Sequence, residues 1–120
     1  MNDPAPAGIP DPREQLAGLT FALLLVGPDL TIEQANPAAE SLIGWSARRL
    51  VGRPLLDVLD VGDQRIRDKL AEHDALLVAR GLEIHVKGRP LAISLTVSPL
   101  PSHPGWRVVT LSEAGQADRH

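Results

Sequence analysis

The stretch DLTIEQANPAAESLIGWSARRLVGRPLLDVL, residues 29–59, decides how this chain folds. Gly27, Pro28 and Asp29 make a turn, and Thr31–Gln34 follows as a strand. Asn36-Pro37 then opens a helix. The asparagine side chain can cap a free backbone N–H, and proline at the first helical position lacks only a donor that has no partner there. Glu40 falls one position too late for a strict capping box, yet stays in the first turn, where the helix dipole favours an acid. The helix is expected to reach Leu42 or Ile43 and stop at Gly44. Gly52 and Pro54 separate two short helical turns, around Ser46–Leu50 and Leu55–Leu59.

Upstream, Phe21–Val26 is a strand that pairs with Thr31–Gln34 as a hairpin. Both of its faces are apolar, Leu23 and Leu25 on one and Leu24 and Val26 on the other, so both need cover. Downstream, Ile66, Leu70, His73 and Leu77 recur at helical spacing, which predicts one helix from Asp63 to about Ala79, ended by Gly81. Leu82, Ile84 and Val86 alternate with polar residues. After a Gly88-Arg89-Pro90 turn, Leu91, Ile93, Leu95 and Val97 do the same. Trp106–Leu111 is the last strand. The expected fold is α+β: a five-stranded antiparallel sheet with short helices on one face.

The ends differ from this centre. Residues 1–12 carry Pro4, Pro6, Pro10 and Pro12 and read as an extended leader. Arg13–Leu19 suits a short N-terminal helix with Leu16 and Leu19 on one side, and residues 114–120 form a polar tail. A length of 120 residues suits one domain, here residues 13–113. With 12 basic and 15 acidic residues interspersed and no basic stripe, nucleic acid is not an expected partner. No segment is long and apolar enough to span a bilayer, and the start lacks the basic and apolar parts of a secretory signal, so a cytoplasmic location is expected. The absence of cysteine excludes disulfides, thiolate metal sites and cysteine nucleophiles.

The element order and the 29–59 string together resemble the PAS domain. The pattern is met at Asp29, Ile32, Asn36, Ala39 and Glu40, then at Gly44-Trp45, Leu50, Gly52 and the Pro54–Leu59 segment. The Asn-Pro-Ala-Ala-Glu string also resembles the amino-terminal PAS domain of NtrB-type nitrogen-regulation sensor histidine kinases. That resemblance implies a two-component signal-transduction module placed before a dimerisation helix pair and a kinase domain. The tail then looks like the start of a linker, and the chain like an excised, non-catalytic domain. Control by the PII signal protein is attributed to the kinase part of that family and is not expected here. Many PAS domains end in an Asp-x-Thr motif, whereas this chain reads Leu111-Ser112-Glu113.

Three sets of residues are candidates for function. His73 shares the Ile66, Leu70 and Leu77 stripe. In haem-binding PAS proteins the axial histidine lies on this helix, and the plainer reading is a histidine bonded to backbone at a pocket edge. A noncovalent small apolar ligand would be lined by Leu42, Ile66, Leu70, Ile84 and Ile93, residues that serve equally as core filling. A flavin photoadduct needs a cysteine and is excluded. Leu24 and Val26 on the first strand and Val109 and Leu111 on the last fall on adjoining strands. Turned away from the helices, they make an apolar patch, which the helix bearing Leu16 and Leu19 covers within one chain or across a homodimer. The homodimer is the expectation, and a haem or small-ligand sensor is the alternative. His85, His103 and His120 have no metal-ligand spacing, and Asp57, Asp60, Asp63, Ser41 and Ser46 assemble no catalytic set, so no metal and no catalytic residue is expected.

Overall fold

In the computed structural model, which describes residues 21–114, Asn36 is a joint as well as a cap. It precedes helix α1, Pro37–Ile43, and its Oδ1 accepts from the Ala39 N–H at 2.9 Å. The same oxygen accepts from the Leu23 N–H at 2.9 Å, while Nδ2 donates to the Phe21 carbonyl at 3.2 Å. An amide carries its acceptor and its donor on two separate atoms, so asparagine caps the helix and bonds the first strand at two points, a span that the single oxygen of a serine does not cover. Gly44 ends α1 with φ of 85°, its N–H donating to the Glu40 carbonyl at 2.7 Å. The Glu40 carboxylate reaches forward and accepts from the Ala47 N–H at 2.6 Å, holding the start of α2, Ala47–Leu50. α3 spans Leu55–Val58.

The sheet is α+β in setting, as expected, but has six strands rather than five. They are β1 Ala22–Val26, β2 Ile32–Ala35, β3 Asp60–Val61, β4 Leu77–Val86, β5 Arg89–Pro99 and β6 Arg107–Glu113. All pairings are antiparallel, in the order β2-β1-β6-β5-β4-β3. The extra strand, β3, has two residues, too few to show any periodicity. Edge strand β2 is covered by the link between α2 and α3: Ile32 donates to the Arg53 carbonyl, and Leu55 donates to that of Leu30. The β4–β5 hairpin turns on Lys87 and Gly88 alone, both at positive φ, with Val86 paired to Arg89.

The largest departure follows residue 70. The expected helix from Asp63 to Ala79 is instead α4, Gln64–Leu70, followed by a turn and then by β4 from Leu77. Gly81 does not end a helix. It sits at φ of 64° in a β-bulge between Ala79 and Leu82. On β5 the matching partners, Leu95 and Ile93, are two residues apart, so β4 carries one extra residue. That residue shifts parity: Leu77 and Ala79 before the bulge, and Leu82, Ile84 and Val86 after it, all pack against the core. The spacing from Ile66 to Leu77 thus imitated a helix by joining one short helix to a bulged strand.

The core lies between the sheet and the helices. Its strand residues include Ala22, Leu24, Val26, Ile93, Leu95, Val97, Val109 and Leu111, and its helical layer gives Ala39, Ile43, Leu50, Leu55 and Leu70. This corrects the reading of Leu24, Val26, Val109 and Leu111 as an outward patch. They do lie on adjoining strands, with Leu24 opposite Val109, but at 0 to 1% exposure they are core. A strand apolar on both sides gives no local sign of which side meets the helices. The leader 1–12, the helix expected over 13–19 with Leu16 and Leu19, and residues 115–120 lie outside the described residues.

Candidate functional site

The outer face of the sheet carries the opposite parity. Leu23, Thr110, Thr96 and Val78 are successive cross-strand partners and run in one row from β1 through β6 and β5 to β4. Leu25, Val108 and Ser98 form the next row. Leu23, Leu25, Val108, Thr96 and Thr110 are half-buried, and Val78 is 60% exposed. The Thr96 and Thr110 hydroxyls bond to each other across the strands, which leaves their methyl groups to extend the apolar surface. No charged side chain falls in either row. Fully buried interface centres are likewise depleted of charge, whereas an ordinary solvated face is not.

The five residues named for a ligand pocket all join the core cluster, Leu42 and Ile66 at its margin. Leu70, Ile84 and Ile93 are buried within the core cluster. Leu42 lines an open cleft of about 310 Å³ with Ala22, Ala38, Ser41 and Glu113. Ile66 lines a separate one of about 530 Å³ beside the β4 bulge.

His73 is corrected in position. With α4 ending at Leu70, it lies in the turn before β4 and is exposed, so the stripe that placed it at a pocket does not form. His85 and His103 are exposed as well. Among the described residues, no three His, Cys, Asp or Glu side chains converge as a metal site would require. Asp63 and Ser46 have structural duties: Asp63 caps α4, accepting from the Arg65 N–H at 3.0 Å, and Ser46 caps α2. The Arg65 backbone N–H lowers the Asp63 pKa, with the Arg65 side chain helping.

Two features were missed from sequence. Trp45, just after α1, lies under three cations: Arg53 at 4.6 Å, Arg49 at 4.8 Å and Lys87 at 5.3 Å from the ring centre. Lys87 also donates to the Gly44 carbonyl at 2.7 Å, pinning the β4–β5 hairpin to the end of α1. The second is Arg107, at 1% exposure the largest fully buried side chain. Burial pushes its pKa down. It shares the parity of Val109 and Leu111, so strand alternation alone would have placed it on the inner face.

A curled antiparallel sheet with short helices between its second and last strands, and an Asn-Pro helix start bonded back to β1, defines a class. The chain belongs to the PAS-fold family, whose family model matches residues 16–114. Within that class it is similar to the sensory histidine kinase/phosphatase NtrB. The Klebsiella oxytoca protein is 33% identical over 98 residues, 78% of this chain and 27% of that protein. The Vibrio alginolyticus protein is 31% identical over 91 residues, 74% of this chain and 26% of that protein. The chain therefore spans only about a quarter of the length of these curated relatives. The PAS domain of nitrogen regulation protein NR(II) from Vibrio parahaemolyticus superposes with a TM-score of 0.71 at 27% identity, covering 85% of this chain and 96% of that one. A PAS domain from Colwellia psychrerythraea gives a TM-score of 0.72 over 83% of this chain and 91% of that one; at 16% identity the likeness is one of fold alone. Among the described residues, no helix is long and apolar enough to cross a membrane.

Proposed function

We propose that this chain is the cytoplasmic, non-catalytic PAS module of an NtrB-type sensor histidine kinase in nitrogen regulation, pairing two subunits and relaying a signal between them. One observation carries the assembly part: the charge-free row Leu23–Thr110–Thr96–Val78 and its neighbour Leu25–Val108 on the outer face of the sheet. The interface therefore moves from Leu24, Val26, Val109 and Leu111 to the residues of opposite parity. A self-complementary pairing of two such faces removes apolar surface from water on both copies.

The relay follows from β6. Its alternate residues belong to the core, through Arg107, Val109 and Leu111, and to the outer face, through Val108, Thr110 and Ser112. A change in core packing is thereby felt at the subunit interface, where two arrangements of like surfaces can act as a switch.

The natural absence of cysteine permits a direct experiment. Single cysteines at Leu25, Val108 or Thr110 are expected to give disulfide-linked dimers on mild oxidation, and a cysteine at Asp68 on α4 is not. Equal cross-linking at Asp68 and at the sheet positions would count against the face.

A further inference from the structure

Arg107 is buried without an acid. Its side chain enters the inner face of β6, beside Val26 on β1 and Pro99 on β5. Nη1 donates to the Leu70 carbonyl and, at 3.2 Å, to that of Glu72, so it caps the end of α4 and the turn beyond. Among the described residues the ion pairs are Arg65–Asp63 and Lys69–Glu72, and neither involves Arg107. Nε and Nη2 meet no hydrogen-bonding group among the described residues.

The two unpaired nitrogens are not scattered. Nε–H and one N–H of Nη2 point the same way along one edge of the planar guanidinium, the edge that meets both oxygens of a carboxylate in parallel. Nη1, fixed by two carbonyls, sets the plane of that fork. A guanidinium keeps its proton at physiological pH, so its charge cannot be relieved by titration. A charge taken out of water needs a counter-charge as well as hydrogen bonds, and the two carbonyls give only part of the second.

We propose that the Nε/Nη2 edge of Arg107 anchors a site for a small monocarboxylate, between β6 and the turn that follows α4. One carboxylate supplies two acceptors at the right spacing and a single negative charge. Phosphate, carrying more than one charge at neutral pH, would leave the core with a net negative charge, and water would leave it positive. The turn itself is what stands between the fork and solvent. Ala71, Glu72, His73 and Asp74 are exposed, Leu76 is 65% exposed, and the turn is held over Arg107 by the two carbonyl contacts. The site does not depend on the assembly reading. It gives the ligand-sensor alternative an anchor on β6, in place of His73.

The test uses the whole chain labelled with ¹⁵N-arginine, with the Arg107 Nε–H resonance assigned by its loss in Arg107→Met. Sodium formate is titrated against sodium chloride at equal ionic strength, and phosphate is run as a third series. The expected result is a saturable downfield movement of the Arg107 resonance with formate alone, while those of Arg49 and Arg53 follow ionic strength as they do in chloride. Formate is also expected to raise the melting temperature of the wild type and leave Arg107→Met unmoved. Arg107→Met removes a buried charge together with the two bonds that Nη1 gives to the end of α4 and its turn, so its melting temperature in formate is compared with its own value in formate-free buffer. Arg107→Lys, which keeps the charge but not the fork, is expected to lose the response. No formate-specific movement, as when an acid of the chain or water alone meets the fork, would overturn the proposal. So would an equal melting response in Arg107→Met. A stronger response to phosphate than to formate would overturn the monocarboxylate class.

Discussion

On β1 the residues Ala22, Leu24 and Val26 are buried against the helical layer, while Leu23 and Leu25, from the same five-residue strand, stand half-buried on the far side. β6 repeats the contrast, with Val109 and Leu111 inside and Val108, Thr110 and Ser112 outside. The inner face is closed by the chain's own helices. On these strands the outer face is free of charge from Leu23 to Ser112, whereas the inner face holds Arg107. The two faces teach that apolar character alone does not tell a core from a surface: similar side chains are buried on one side of these strands and half-buried on the other.

The strongest way to sharpen that contrast is to place one charge on each face in turn. Leu24→Asp buries an unpaired carboxylate and is expected to cost about 4 kcal/mol or more, enough to abolish a cooperative urea transition. Leu25→Asp, one position along, is expected to leave the circular dichroism spectrum intact, because its side chain leaves the core untouched. If both variants unfold alike, the contrast between the faces fails.

Asn36→Ala comes next. It strips two acceptor bonds and one donor bond from the joint between α1 and β1, and is expected to lower stability by about 2 kcal/mol in urea unfolding. Gly81→Val forces a β-branched side chain into the left-handed conformation of the bulge, with an expected cost of about 1–2 kcal/mol. Because the bulge keeps both halves of β4 facing inward, this variant is also expected to expose core residues to a hydrophobic dye. A silent Gly81→Val would mean that parity on β4 is set elsewhere.

The smallest effect concerns pH. The folded-state pKa of Asp63 is lowered, so its stabilising contribution is complete above the ordinary aspartate range and is lost as pH falls through the depressed value. The advantage of wild type over Asp63→Asn in thermal unfolding is therefore expected at neutral pH and expected to vanish on acidification. An advantage that persists in acid would assign it to something other than the ionised cap.

Local chemistry made much of this fold legible. Asn36-Pro37 and Gly44 marked both ends of α1, and the alternation from Leu91 to Val97 marked β5, because caps and period-two burial act over a few residues. Parity on β1 was not legible, since Leu23 and Leu24 are chemically alike and only the helices distinguish them. The stop of α4 was hidden for a different reason. Leu70 is capped by a guanidinium 37 residues away in sequence, a contact no local pattern reports. That the first and last strands adjoin was readable from sequence, while the side that each residue faces was not.

The most direct test of the assembly reading is the solution mass of the chain by light scattering, wild type beside Leu25→Asp, with circular dichroism recorded on both. The expected result is twice the mass of one chain for the wild type and a single-chain mass for a folded Leu25→Asp. A wild type that already runs at the mass of one chain, or a folded Leu25→Asp that remains a dimer, would contradict the account.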